Sequence, residues 1–293
     1  VHKGFTKGTR RRVDGRIFAS GHFPILFKKC NYLVANPPPA NRTFMNKQKA
    51  FLALALFLLG LAGVASILTM DIPLPPEAEA ILKARYSPEE IKIVLLINPT
   101  IMLLIAVAVG VSLYDKVQFS VPALERLTGV TQTPPDWKGL LLYGALGGVL
   151  AGVLLSLIGL LFKPVLPAEF TELSEKLQPT LAARFLYGGM TEEIMMRFGF
   201  MTLVVWLFSK AFKGLRPAVY WTGIVVAAIV FALGHFPIAF QSVANPSPAF
   251  LAYILIGNSV GGVIFGWLYW KKGLESAFLA HLLAHVVMVL AGG

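Results

Sequence analysis

The 293-residue chain has one cysteine, Cys30, and few charges: Asp, Glu, Lys and Arg make up 14% of it, against about 25% in an average soluble domain. One cysteine permits no intramolecular disulfide. Its place near the N-terminus leaves the rest of the chain without a thiol nucleophile or a thiolate metal ligand. Scarce charge together with 56% hydrophobic residues excludes an ordinary water-soluble globule. The chain also lacks internal repeats, long low-complexity tracts and the HExxH signature of helical zinc proteases.

What it has is long apolar runs, near residues 51–70, 91–114, 139–162, 181–209, 218–240, 250–270 and 274–291. A bilayer-spanning helix needs about 20 mostly apolar residues. The expected fold is therefore all-α, a polytopic membrane helix bundle of about seven transmembrane helices. The first run could also be read as a signal peptide, with Lys47 and Lys49 as its basic start. It is longer than the usual apolar core of about 7–15 residues, and Ala62 to Ser66 makes a weak cleavage site, so an anchored helix is expected.

The net charge of +11 would suggest nucleic acid if it were spread over the fold. It is not: residues 1–44 hold nine of the 26 Lys and Arg but only Asp14 of the 15 acids, leaving 17 bases and 14 acids in the other 249 residues. No nucleic-acid partner is expected. Residues 1–44 have no sustained apolar period, whereas Met45 is followed by Asn46, Lys47, Gln48 and Lys49 and then an apolar run. The expected division is a basic tail over 1–44, disordered or not native, and a single transmembrane helical domain over 45–293. A basic arm on anionic lipid is the other reading of the tail.

Lys and Arg in short loops set orientation. With the Met45 end inside, Lys47, Lys49, Lys116, Arg126, Lys138, Lys210, Lys213, Arg216, Lys271 and Lys272 face Lys83, Arg85, Lys92, Lys163 and Lys176 across the membrane, ten against five. A multi-pass cell-membrane protein with a cytoplasmic N-terminus is expected, with the loop at 210–216 inside and that at 241–248 outside. The start pattern further suggests a prokaryotic host.

Charges within hydrocarbon cost about 2.5–3.5 kcal/mol on insertion scales, so each one there is a functional candidate. Away from span ends these are Arg184, Glu192, Glu193, Arg197, His235, His281 and His285, and the last three are the only histidines after residue 44. Glu193 and Arg197, four apart, share a face on an α-helix and can pair. Glu192 points about 100° away, without a local partner, and suits a general base acting on water. Phe231 precedes His235 by one turn. His281 and His285 share a face, a spacing used by metal ligands and by paired hydrogen-bond donors alike.

Glu192-Glu193-x-x-x-Arg197, Phe231-x-x-x-His235 and His281-x-x-x-His285 resemble, in order and spacing, the three motifs of the CPBP intramembrane proteases. That group includes the CAAX prenyl endopeptidases of the Rce type and bacterial Abi proteins. The run Gly273-Leu274-Glu275-Ser276-Ala277 is similar to that family's approach to its last motif, and the resemblance covers about residues 181–291. It implies an intramembrane endopeptidase in which Glu192 activates water with help from His235. His281 and the residue at 285 would stabilise the oxyanion, and Glu193 and Arg197 would support the site. The last motif usually ends in Asn or Asp, and here it ends in His285.

A metal-free site is favoured. If a metal is held, zinc on His235, His281, His285 and Glu192 is the expected set. The expected partners are membrane lipids and a membrane-embedded or lipid-anchored peptide substrate. Rival readings are a proton-coupled transporter, with Glu192 and the histidines as a relay, and a catalytically silent membrane scaffold or immunity protein.

Overall fold

The computed structural model describes residues 42–70, 74, 76–177, 179–243 and 245–292. Most of the expected basic tail, residues 1–41, lies outside the described residues. Met45–Gly293 forms one compact unit. Helices account for its regular structure, and no strand occurs among the described residues.

Helix α1 (Arg42–Ser66) ends in a 3₁₀ turn. It is followed by α2 (Pro76–Lys83), α3 (Pro88–Leu113), the short α4 (Pro122–Leu127), α5 (Trp137–Phe162) and α6 (Ala168–Leu177). A π-helical stretch, Ala183–Glu192 and Ile194–Met201, runs into α7 (Thr202–Ala211). The chain closes with α8 (Pro217–Leu233), α9 (Phe236–Ser242), α10 (Pro248–Lys272) and α11 (Leu274–Leu290). Among the described residues six helical stretches are long and apolar enough to cross a membrane, and α11 is a shorter apolar helix. At about 1.5 Å per residue, the 17 residues of α11 reach about 25 Å, near the lower limit for a span. The expected bundle of about seven helices is present.

Helix starts follow local chemistry. Ser87 and Glu90 form a reciprocal capping box at α3, Asp136 accepts from the Gly139 N–H at α5, and Ser247 accepts from Phe250 N–H at α10. Large side chains such as Leu141, Leu146, Leu150 and Leu160 of α5 face outward, as lipid-facing positions do. The opposite face of α5 is small: Gly144, Gly148, Ala151 and Gly152 are buried against α11. A Cβ at Gly148 would stand 2.7 Å from the Ala280 carbonyl oxygen, so glycine is what lets α11 approach. Ser276 Oγ donates to the Leu140 carbonyl at 3.2 Å. Helix α11 is thereby pinned on one side, while His281 and His285 face the other elements.

The first helix is part of the packing. Leu52, Leu56 and Val64 belong to the main hydrophobic core, and Thr191 Oγ donates across to the Gly60 carbonyl at 2.8 Å. The first helix is thereby joined to the centre of the fourth span.

Candidate active site

The fourth span is not the α-helix its sequence suggests. The Thr202 hydroxyl donates five residues back to the Arg197 carbonyl at 3.2 Å, and the Thr191 hydroxyl, which donates to Gly60, shares its hydrogen more weakly with the Leu186 carbonyl five residues back at 3.3 Å, in register with the i→i+5 pattern of a π-helix. Long π stretches are rare and concentrate at functional sites. Glu193 and Arg197 still meet, with Arg197 Nη1 3.1 Å from Glu193 Oε1, and both side chains are buried.

This ion pair has a third member. The Nδ1–H of His281 donates to the same Glu193 Oε1 at 2.8 Å, since a carboxylate can only accept. The Arg197 guanidinium lies over the rings of Phe231 and Phe265, 5.1 and 5.6 Å from their centroids. Phe265 in turn stacks on His281, which stacks on His285, at centroid separations of 4.6 and 5.0 Å. Cation–π contact and stacking hold this column in place of solvent.

His235 was expected inside a continuous fifth span. Instead α8 stops at Leu233, and His235 stands in the turn before α9, where its N–H bonds to Ala232 only three residues back. Pro237, without an N–H, cannot continue the ladder. The Nδ1–H of His235 donates to the Phe231 carbonyl at 2.8 Å, and its ring meets the Phe231 ring edge-on at 4.7 Å. Phe231 thus touches His235 with both backbone and ring while packing on Arg197.

Glu192, His235, His281 and His285 line one cavity of about 410 Å³, with Arg184, Tyr187, Tyr253 and Asn258 as its other polar walls. Glu192 is partly exposed to it, and no hydrogen bond holds the Glu192 carboxylate among the described residues. Glu193 and Arg197 sit behind it and do not line it. Ile67, Met70, Leu155, Ile158 and Met288 make the rest of the wall apolar. Gly188 belongs here too, because a Cβ on it would lie 2.8 Å from His285 Nε2. Tyr187, Gly188 and Asn258 carry no charge, so a search for charges in hydrocarbon passes over them. An asparagine in the sixth span was the available signal.

These bonds decide what the imidazoles offer. With Nδ1–H committed to Phe231 and to Glu193, neutral His235 and His281 carry their lone pairs on Nε2. His281 can donate from Nε2 only as an imidazolium, for which the Glu193 carboxylate is a ready counter-charge. Among the described residues no group of three or more His, Cys, Asp and Glu could hold a metal ion. The expected zinc set of His235, His281, His285 and Glu192 lines this one cavity.

Residues 175–287 match the family model Rce1-like, type II CAAX prenyl endopeptidase Rce1-like. The matched segment takes in all three motifs and every candidate residue, from Arg184 to His285. It starts before the π-helical stretch and ends within α11. No curated protein and no solved structure matches the chain.

Proposed function

We propose that the protein is an intramembrane endopeptidase that hydrolyses a peptide bond of a membrane-embedded or lipid-anchored peptide. One observation carries the reading: a carboxylate without a hydrogen-bond partner among the described residues shares a largely apolar cavity with three imidazoles, in a multi-pass membrane protein with an Rce1-like segment.

Glu192 takes a proton from a water that His235 Nε2 helps to orient, and the hydroxide attacks the substrate carbonyl carbon. The oxygen that becomes negative is met by His281, as imidazolium, and by His285. Glu192 then passes its proton to the departing amine as the C–N bond breaks, leaving a carboxylic acid and an amine. Base and oxyanion donors each act where charge develops. This needs no metal. The transporter reading has less support, because the buried charges form a single cluster and no pair of broken helices recurs in two halves of the chain. In a prokaryotic host, small membrane peptides would be favoured as substrates over prenylated chains.

Comparative proteomics of membranes from cells with the wild-type protein and with Glu192→Ala tests the activity. An uncleaved peptide should accumulate in the variant, and identical profiles would count against a protease. His285 offers a second test. As an oxyanion donor it is replaceable by Asn, whose amide N–H fills the same role. His285→Asn should then keep most activity, His285→Leu should lose about 10²–10³-fold, and chelators should do little. An inactive Asn variant together with near-stoichiometric zinc in the purified protein would make His285 a ligand instead.

A further inference from the structure

The cavity lies toward one end of the bundle. Glu192 is nine positions from Ala183 and nineteen from Ala211, and His235 is six from Gln241 and eighteen from Pro217. His285 is five from Leu290 and eleven from Leu274. Met70, Phe170 and Pro179, which follow or connect spans at that same end, line the cavity as well. The cavity therefore reaches the face that carries the loops after α1, between α5 and the π-helical stretch, and between α9 and α10.

Charge differs between the two faces. Among the described residues the cavity face has Lys83, Arg85, Lys92 and Lys163 against six acids, Glu77, Glu79, Glu89, Glu90, Glu169 and Glu172. The far face has the ten bases from Lys47 to Lys272 against Asp115, Glu125, Asp136 and Glu275. All five tryptophans, Trp137, Trp206, Trp221, Trp267 and Trp270, lie in the halves of their helices nearer the far face. Lys271, Lys272 and Lys210 there lie over Trp270, Tyr143 and Trp206, at 3.5, 4.2 and 5.9 Å from the ring centroids. Basic residues among amphipathic rings mark a membrane–water interface, and Lys and Arg excess marks the cytoplasmic one.

We infer that the Glu192–His235 cavity opens on the non-cytoplasmic face and takes a peptide whose scissile segment emerges from the outer leaflet. Resting on the endopeptidase reading, this narrows its substrate class. A C-terminus made in the cytosol and anchored by a lipid to the inner leaflet would meet the basic far face, separated from Glu192 by most of the bundle. A membrane peptide that has crossed, or whose end projects outward, meets the cavity directly. The apolar wall of Ile67, Met70, Leu155 and Met288 suits an apolar segment unwinding there from the bilayer.

The test uses the full chain with Cys30→Ser, carrying single cysteines at Pro179 or Gln241 on the cavity face, or at Lys213 on the far face. A membrane-impermeant thiol reagent is applied to right-side-out and to inverted membrane vesicles, and detergent-opened vesicles give the full signal. Pro179→Cys and Gln241→Cys should label in right-side-out vesicles alone, and Lys213→Cys in inverted vesicles alone. The reverse pattern, or labelling of any position from both sides, would overturn the inference. Labelling needs no hydrolysis, so sidedness can fail while the protease reading stands. Unchanged membrane peptides in the Glu192→Ala strain would fail the protease reading and leave the labelling as it was.

Discussion

Glu192→Gln and His235→Ala should each lower cleavage by about 10²–10⁴-fold, the usual contribution of a positioned acid–base group, while the folded protein persists. The two side chains have little to do with holding the bundle together. Glu192 is partly open to the cavity without a hydrogen bond among the described residues, so an amide of the same shape strands no partner there. His235 contributes a single bond to the carbonyl of Phe231 in a turn where Pro237, without an N–H, already interrupts the helical ladder. Its loss leaves that carbonyl beside the cavity, where water can reach it. Activity per folded molecule, with the folded fraction taken from gel filtration in detergent, is the quantity to compare. Full activity in Glu192→Gln would remove Glu192 from the chemistry.

The double variant sharpens the expectation. If Glu192 and His235 act on one water, removing both should cost little more than removing either, because groups that work as a unit are strongly non-additive. Independent roles would instead multiply the two losses. A transporter with a proton relay predicts a loss of coupled transport and no change in the membrane peptide profile.

The spans and the charged part of the site were legible for one reason. A charge in hydrocarbon is too costly to be incidental, and this chain has only seven away from span ends. Five of them, Arg184, Glu192, His235, His281 and His285, line the cavity, and the other two, Glu193 and Arg197, form the pair behind it. The helix geometry was not legible. Glu193 and Arg197 meet equally in an α-helical reading, so their pairing hid the π register that Thr191 and Thr202 reveal only through their bonds to Leu186 and Arg197. The break at His235 had a written signal in Gly234 and Pro237, but the apolar run continues through it and hydropathy does not register it. The bond from His281 to Glu193 spans 88 positions, and no local pattern anticipates it. That bond also changes what His281 can do, from a simple donor to an imidazole whose donating form requires a proton.

Glu193→Gln should lower stability by about 3–5 kcal/mol, the cost of stranding one member of a buried pair, and the stranded member is the fully buried Arg197. Gln can still accept the His281 Nδ1–H through its amide oxygen, so this variant removes charge while leaving the hydrogen bond available. Glu193→Leu removes both and should free the His281 ring as well. Adding Arg197→Met to Glu193→Gln takes away the orphaned cation and leaves a flexible apolar chain between Phe231 and Phe265, and should return much of the lost stability. The comparison is a double-mutant cycle on thermal unfolding in one detergent, with the coupling read from the four midpoints. A Glu193→Gln protein as stable as the wild type would mean that Arg197 is neutralised by something other than Glu193. A double variant no more stable than Glu193→Gln would place the cost in the lost ring contacts of Arg197 instead of its unpaired charge.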